Sequence, residues 1–140
     1  METLSRAEAD RVCAVLVSFR TGPALFAAMD AVLSQPEAAR VVLVDNGNPE
    51  PVRAALAARA LAEPRLELVQ GQGNVGFAAA CNLGAARARE PRLLLLNPDC
   101  LLPPAALGGL LEQARRSDTQ IVLTERATEA QEMYENLKDL

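Results

Sequence analysis

Residues 41–70, VVLVDNGNPEPVRAALAARALAEPRLELVQ, contain the pattern that decides the fold: an apolar run, a turn, an amphipathic stretch and a second apolar run. The run 41–45 (VVLVD) is continuously apolar up to its last residue, which is typical of a strand buried on both faces. Turn residues 46–49 precede a helix predicted at 50–61, and residues 66–70 (LELVQ) predict the next strand. This order predicts a parallel pair of strands joined by a right-handed crossover.

The same alternation extends in both directions from this unit. Upstream, residues 12–18 (VCAVLVS) predict a strand, and residues 23–33 predict a helix whose apolar positions share one face. Downstream, a helix of small residues is predicted at about 76–89, and residues 92–97 (RLLLLN) predict a further strand. The prolines at 103–104 then open a helix with its leucines on one stripe. The sequence therefore predicts an α/β domain with a mostly parallel sheet flanked by helices.

The composition of the chain narrows the classes of function. Half of the 140 residues are apolar but few are aromatic, so the core is predicted to consist of leucine, valine and alanine. The net charge of −4 and the lack of tryptophan argue against a nucleic-acid partner, since such a partner needs a basic surface. The chain has no histidine, which excludes serine–histidine and cysteine–histidine nucleophilic catalysis and the usual zinc sites.

The cysteines and the first residues bear on the compartment. Cys13, Cys81 and Cys100 are widely spaced and odd in number, so we expect reduced, mostly buried thiols with structural roles. Residues 1–10 are charged, and the apolar run after them is too short for a signal peptide or a membrane span. The domain is therefore predicted to be cytoplasmic, and a membrane-peripheral position through a partner or a further segment stays open.

The composition changes after about Arg116. The chain's isoleucine, tyrosine and lysine residues, Ile121, Tyr134 and Lys138, all lie beyond that point. We therefore predict two regions: a domain at residues 1–116 and a divergent tail at residues 117–140. Within the tail, residues 120–124 are expected to form a strand and residues 125–137 a helix.

Polar residues and glycines follow each predicted strand. Ser18 and Phe19 come at the end of the first strand, Asp45 ends the second, residues 71–77 (GQGNVGF) follow the third, and residues 97–99 (NPD) follow the fourth. The carboxyl ends of parallel strands meet at one edge of a sheet. Ligands of open α/β sheets bind beyond that edge, near the point where the strand order reverses. The sequence therefore predicts a binding site there.

The glycine-rich loop has its own interpretation. Residues 71–76 (GQGNVG) match the pattern G-x-G-x-x-G between a predicted strand and a predicted helix, with Asp99 about twenty residues further on. In a dinucleotide site such glycines let backbone N–H groups approach a pyrophosphate at a helix N-terminus. However, the loop follows the third strand rather than the first, and this interpretation leaves Asp45 and Asn97 without a role. An NAD(P)-binding module stays an alternative.

The tripeptide Asn97-Pro98-Asp99 ends a strand that contains four leucines. Pro98 fixes the backbone so that Asp99 projects from the strand end. One carboxylate beside a diphosphate suits Mg²⁺ or Mn²⁺, which take one or two protein carboxylates together with phosphate oxygens. An ordinary turn is the alternative here, as it is for Asp45 in Asp-Asn-Gly. Asn82 lies off the apolar stripe of its helix, so it faces either the ligand edge or water.

Four motifs then occur in the order and spacing of a known family: residues 15–20 (VLVSFR), 41–48 (VVLVDNGN), 73–86 (GNVGFAAACNLGAA) and 93–104 (LLLLNPDCLLPP). They resemble the family-2 glycosyltransferases, particularly the rhamnosyltransferase-like members, over residues 12–115. The resemblance implies a GT-A fold, whose three-layer, Rossmann-like half binds a nucleoside diphosphate sugar. Residues 1–116 would then be a nucleotide-sugar-binding domain that looks truncated relative to the family.

The resemblance also implies roles for eight residues at three places: the base and ribose, the nucleotide and donor sugar, and the diphosphate with its metal. Those residues are, in that order, Ser18, Phe19 and Asp45; Asn74, Gly76 and Asn82; and Asn97 and Asp99. Asn97 and Asp99 occupy the place of the family's D-x-D motif, where Asp99 would bind the divalent metal, Mg²⁺ or Mn²⁺. The first acidic position of that motif is an asparagine here.

The implied reaction is displacement of the nucleoside diphosphate at the anomeric carbon by an acceptor hydroxyl, with inversion. The donor would be a dTDP- or UDP-sugar, and the acceptor a carbohydrate or a lipid-linked molecule. In the family the general base lies well downstream of the D-x-D region, and we identify no base in this chain. A non-catalytic nucleotide-binding domain, including one that forms a homodimer, stays an alternative beside the NAD(P) module.

Overall fold

Strands and helices alternate along the chain in the computed structural model, which describes residues 4–117 and 122–123. The helices are α1 (Arg6–Ala9), α2 (Ala24–Leu33), α3 (Glu50–Ala62), α4 (Phe77–Ala85) and α5 (Ala106–Ser117). The strands are β1 (Val12–Phe19), β2 (Ala38–Gly47), β3 (Leu66–Val69), β4 (Arg92–Leu96) and β5 (Val122–Leu123). The predicted strand–helix alternation is thereby confirmed. No helix among these is long and apolar enough to cross a bilayer.

The described strands form one sheet in the order β3-β2-β1-β4-β5, and every pairing between them is parallel. From β1 the chain moves to β2 and β3 on one side of the sheet and later returns to β4 on the other side. The strand order therefore reverses between β1 and β4. In open α/β sheets this is the place where a crevice opens beyond the strand ends.

Helices cover both faces of the sheet and produce three layers, as predicted. Alternate residues of β1 point to opposite faces: Ala14 and Leu16 pack in one cluster with α2, α3 and α5, whereas Val15 and Val17 pack in the other with α4. This alternation follows from the two-residue repeat of a strand. Among the described residues, the buried hydrophobic side chains are leucine, valine and alanine apart from Cys13, Met29 and Cys81, which agrees with the core predicted from the composition.

Gly84 allows α4 to lie very close to β1. A Cβ atom on Gly84 would come within 2.3 Å of Cγ1 of Val15 and within 3.3 Å of Cγ2 of Val44. A glycine at this position therefore lets the helix backbone approach the sheet, as the small-residue pattern of this helix predicted. The close approach holds the C-terminal part of α4 against β1 and β2, while the N-terminal end is contacted at Gly76 by Asn46.

The largest differences from the predicted element boundaries lie in α5, α4 and β2. The helix α5 begins at Ala106 rather than at the prolines, because Ala105 has a left-handed backbone with φ of 64°. The helix α4 ends at Ala85, and β2 is longer than predicted because it begins at Ala38. The charged first segment contains α1, whose N-terminus is capped by Ser5.

Only part of the predicted tail is described. Val122 and Leu123 form β5, within the strand predicted at 120–124. The helix predicted at 125–137 lies outside the described residues, so the division of the chain at residue 116 stays a prediction.

The three cysteines form no disulfide bond among the described residues. Cys13 and Cys81 are buried and Cys100 is half-buried. Burial raises the pKa of the Cys13 thiol to about 12, and the nearby carboxylate of Glu90 adds to the rise. Cys13 therefore stays protonated at neutral pH and is a poor nucleophile.

Candidate functional site

A cavity of about 570 Å³ opens at the carboxyl edge of the sheet. Its lining combines strand ends, the glycine-rich loop and the start of α4, and consists of Val17, Phe19, Thr21, Asn46, Asn74, Gly76, Phe77, Asn97, Pro98 and Asp99. Residues from the ends of β1 and β4 take part, so the cavity lies where the strand order reverses. Its volume falls within the range of about 300–1,000 Å³ that is usual for small-molecule sites.

Five of the eight predicted site residues line this cavity: Phe19, Asn74, Gly76, Asn97 and Asp99. They come from three separate stretches of the chain, and the parallel sheet brings them to one place. Ser18, Asp45 and Asn82 are not among the lining residues. The structure thus joins the strand tips at one edge, but it divides the predicted residues between two faces of that edge.

Ser18 and Asp45 lie opposite each other in the pairing of β1 with β2, and both are buried. The hydroxyl group of Ser18 donates to Oγ1 of Thr21 at 3.0 Å. The carboxylate of Asp45 accepts from the backbone N–H of Gly47 at 2.9 Å, from Nδ2 of Asn48 at 2.8 Å and from Nε2 of Gln70 at 2.9 Å. These contacts match the turn-forming interpretation of Asp45. A ligand role for either residue stays a prediction.

The strand repeat explains why these two residues miss the cavity. On β1 the side chains of Cys13, Val15 and Val17 point toward α4, so Phe19 continues that row and Ser18 falls on the other face. The cavity lies on the α4 side of the sheet, as its lining by Phe77 shows. A residue at the correct edge but on the opposite face therefore cannot contribute its side chain to the lining.

Asn82 lies on α4 and is half-buried. Its amide oxygen is fully buried and has no hydrogen-bond partner among the residues that the structure describes. A polar atom buried in this way costs free energy until a donor reaches it. Asn82 is not among the lining residues of the cavity, so its role toward a donor sugar stays a prediction.

The glycine-rich loop is held against the tip of β2. Gly71, Gly73 and Gly76 have φ values of 97°, 71° and 85°, which side chains rarely tolerate. Nδ2 of Asn46 donates to the carbonyl oxygen of Gly76 at 3.0 Å. The backbone N–H of Gly76 in turn donates to Oδ1 of Asn74 at 3.0 Å. The loop therefore begins α4 with a fixed backbone beside the cavity.

The sequence analysis assigned no ligand role to five lining residues: Val17, Thr21, Asn46, Phe77 and Pro98. Asn46 matters most, because it is buried and polar and contacts the glycine-rich loop. A β-bulge inserts it, since Ser18 pairs with Asp45 and Phe19 pairs with Gly47. The apolar alternation could have found Val17 and Phe77, but a bulge leaves no simple signal in a single sequence.

Asp99 carries the one carboxylate among the cavity's lining residues, and its side chain is exposed. Asn97 is buried at the same place and adds an amide group. Within residues 4–117 and 122–123, no cluster of three or more acidic, cysteine or histidine side chains forms a metal centre. One carboxylate and one amide oxygen therefore suit Mg²⁺ or Mn²⁺ only where phosphate oxygens supply further ligands.

Comparisons with known proteins agree with this geometry. The model of the family described as Glycosyl transferase family 2 matches residues 13–139. The chain is 31% identical over 102 residues to the succinoglycan biosynthesis protein ExoU of Rhizobium meliloti (strain 1021). The aligned region covers 73% of this chain and 30% of that relative.

Solved structures show the same fold. The mannosyltransferase PcManGT from Pyrobaculum calidifontis, solved in complex with GDP-Man and Mn²⁺, matches with a TM-score of 0.66 at 22% identity, over 74% of this chain and 32% of that protein. Residues 1–349 of TarS from S. aureus match with a TM-score of 0.64 at 12% identity, over 77% of this chain and 33% of that one. The chain thus spans about a third of the length of the relatives it matches.

Proposed function

The chain belongs to glycosyl transferase family 2, and on that premise we propose that its cavity binds the nucleoside diphosphate sugar that serves as glycosyl donor. The observation that carries the proposal is the meeting of Phe19, Asn74, Asn97 and Asp99 in one cavity at the reversal of strand order. An aromatic ring, amide groups and a carboxylate are suited to a base, a sugar and a metal-bound diphosphate respectively.

We propose that the nucleobase lies against Phe19, whose side chain is half exposed at the cavity wall. The diphosphate would lie between the start of α4 and Asp99. The start of α4 suits phosphates because Gly76 has no side chain to obstruct them and the first helical N–H groups point outward. This arrangement directs the donor sugar toward Asn97 and Asp99.

The proposed reaction is an inverting displacement. An acceptor hydroxyl oxygen attacks the anomeric carbon, the bond from that carbon to the phosphate oxygen breaks, and the nucleoside diphosphate departs with the electron pair. Mg²⁺ or Mn²⁺ bound to Asp99 and the phosphates would stabilise the charge on the departing group. Asp99 is thereby occupied, so we place the base that takes the acceptor's proton outside the lining of this cavity.

Donor binding is the part of the reaction that we assign to the described residues, and transfer to a carbohydrate or lipid-linked acceptor is proposed for the whole protein. The resemblance to rhamnosyltransferase-like members makes dTDP- and UDP-sugars the first donors to test. GDP-mannose comes next because it is the ligand of PcManGT. We also propose a cytoplasmic location, since cysteines that form no disulfide bond among the described residues suit a reducing compartment.

The test is a set of thermal unfolding and titration measurements with UDP, dTDP and GDP, each with Mn²⁺ or with EDTA. A nucleotide at a hundred times its Kd should raise the free energy of unfolding by about 2.7 kcal/mol. We expect at least one nucleoside diphosphate to stabilise the protein in Mn²⁺ and to do so less in EDTA. NAD⁺ serves as the comparison ligand, and stabilisation by NAD⁺ alone would overturn the proposal in favour of a dinucleotide site.

A further inference from the structure

Arg20 has a strained backbone at the edge of the cavity. It follows β1 directly and has φ of 50°, in the left-handed region that residues with a side chain seldom adopt. Its backbone N–H donates to the carbonyl oxygen of Gly47 at 2.8 Å, and the next N–H, of Thr21, donates to Oδ1 of Asn48 at 3.2 Å. Contacts from the tip of β2 therefore hold the strained turn in place. Strain of this kind gathers at ligand sites.

The turn places the Arg20 side chain against Phe19, between two residues of the cavity lining, Phe19 and Thr21. The guanidinium carbon lies 5.3 Å from the centroid of the Phe19 ring, which is a cation–π contact. Phe19 itself lines the cavity. Stacking limits the rotamers of a long, exposed side chain, so less conformational entropy is lost when the guanidinium binds a ligand. Arg20 is thus a partly positioned cation beside a residue of the cavity lining.

The cavity lining has no positive charge to balance the negative charges of a bound diphosphate. None of its lining residues is basic, and its charged lining residue is the anionic Asp99. An unscreened diphosphate at this place would be repelled by Asp99. Among the described residues, Arg20 forms no ion pair with a carboxylate, whereas Arg53 lies 3.9 Å from Asp45. The positive charge of Arg20 is therefore available to a ligand.

We propose that Arg20 is a ligand-binding residue whose guanidinium donates hydrogen bonds to the phosphate groups of a nucleoside diphosphate, with Phe19 as its support. The inference rests on the proposed function and adds a residue to it. The planar guanidinium offers paired N–H donors that match phosphate oxygens, which a single ammonium group does not. Arg20 would share the phosphate charge with the metal at Asp99.

The experiment measures the Kd of the tightest-binding nucleoside diphosphate among UDP, dTDP and GDP by calorimetric titration in Mn²⁺. The variants are Arg20→Met, which keeps an apolar contact with Phe19, and Arg20→Lys, which keeps the charge. Arg11→Met is the matched control, because Arg11 is exposed at the opposite end of β1. We expect Arg20→Met to weaken binding about tenfold, as the loss of one charge-assisted contact does. Arg20→Lys should recover part of the loss, and the control should stay within about twofold.

A double-mutant cycle with Phe19→Leu separates a phosphate contact from simple packing. If Phe19 positions Arg20, the two losses are not additive, because Arg20 contributes less once its support is gone. The salt dependence of Kd should also become shallower in Arg20→Met, since one cation no longer faces the phosphates. Equal binding by Arg20→Met and wild type, or equal losses for the Met and Lys variants, would overturn the inference. Wild type that binds no nucleotide at all would instead contradict the proposed function.

Discussion

The two ends of the parallel sheet use polar residues in opposite ways. At the amino edge, Arg40 contacts Glu67 at 3.2 Å and Glu90 at 3.1 Å, and Arg87 contacts Glu67 at 3.0 Å. These charges neutralise one another across β2, β3 and the segment before β4. At the carboxyl edge, an exposed carboxylate, Asp99, faces a cavity instead. The same strands therefore carry a closed cluster at one end and an open site at the other.

The difference indicates which substitutions change stability and which change binding. A group whose partners are all within the protein contributes to the free energy of unfolding, because its loss leaves those partners without their contacts. A group directed into a cavity has its partner in the ligand, so its loss leaves the fold intact. The first kind predominates at the amino edge, and the second surrounds the cavity.

The largest expected effect belongs to Asp99→Asn. The substitution removes the charge from the proposed metal ligand, so we expect nucleoside diphosphate binding in Mn²⁺ to weaken about a hundredfold, or about 2.7 kcal/mol. The thermal midpoint without ligand should not change, since the side chain is exposed. Titration calorimetry and thermal unfolding measure the two effects. Asp30→Asn, on the exposed surface of α2, is the control. An equal loss of nucleotide affinity in this variant would mean that removing any surface carboxylate weakens binding, and that Asp99 has no special role at the carboxyl edge.

At the amino edge, Arg40→Met should lower stability and leave nucleotide affinity unchanged, the reverse of the effects expected for Asp99→Asn. The substitution leaves Glu90, whose side chain is 3% exposed, without its cationic partner. We expect the free energy of unfolding to fall by about 2 kcal/mol, less than for a fully buried pair because Arg40 is partly exposed. Chemical denaturation measures this change. Nucleotide affinity, extrapolated to the folded fraction, should stay at the wild-type value.

Arg87→Met provides the comparison within the same cluster. Its side chain is 52% exposed, so loss of its contact with Glu67 should change stability by less than about 1 kcal/mol. Equal effects of the two substitutions would show that the charges at this edge act as surface pairs. The contrast between the two ends of the sheet would then lose its energetic basis.

The sequence predicted the fold well because binary patterning determines it. The continuous apolar run of β2 and the amphipathic α2 leave few alternatives to a parallel sheet with helices on both faces. The predicted ends of helices and strands were less accurate where the backbone conformation of one residue determines the end. The left-handed Ala105 delays the start of α5, and no propensity marks an alanine for that conformation.

The sequence placed the candidate residues at one edge of the sheet, and the structure divides them between the two faces at that edge. Strand tips share an edge in any parallel sheet, which is why Phe19, Asn97 and Asp99 were found together. Which side of that edge holds the cavity depends on the packing of α4, a tertiary feature. Ser18 and Asp45 therefore belong to the neighbouring hydrogen-bond network rather than to the cavity lining.

Asn46 belongs to both categories, so it is the sharpest test of the contrast. It is buried, it lines the cavity, and it donates to Gly76 of the glycine-rich loop. Gln35 is its counterpart at the amino edge: Nε2 donates to the carbonyl oxygen of Pro103 at 3.0 Å, and Oε1 accepts from the N–H of Leu107 at 3.1 Å. Each amide connects a strand end to the start of a helix.

We expect Asn46→Ala and Gln35→Ala each to lower the free energy of unfolding by about 1 kcal/mol, through the loss of buried hydrogen bonds. Only Asn46→Ala should also weaken nucleoside diphosphate binding, by about fivefold, because the released loop no longer presents α4 to the phosphates. Denaturant titration gives the first quantity, calorimetry the second, and hydrogen exchange at residues 71–76 tests whether the loop is released. Weaker binding in Gln35→Ala as well would mean that any loss of stability disturbs the cavity. Binding would then report the rigidity of the whole sheet rather than of its carboxyl edge.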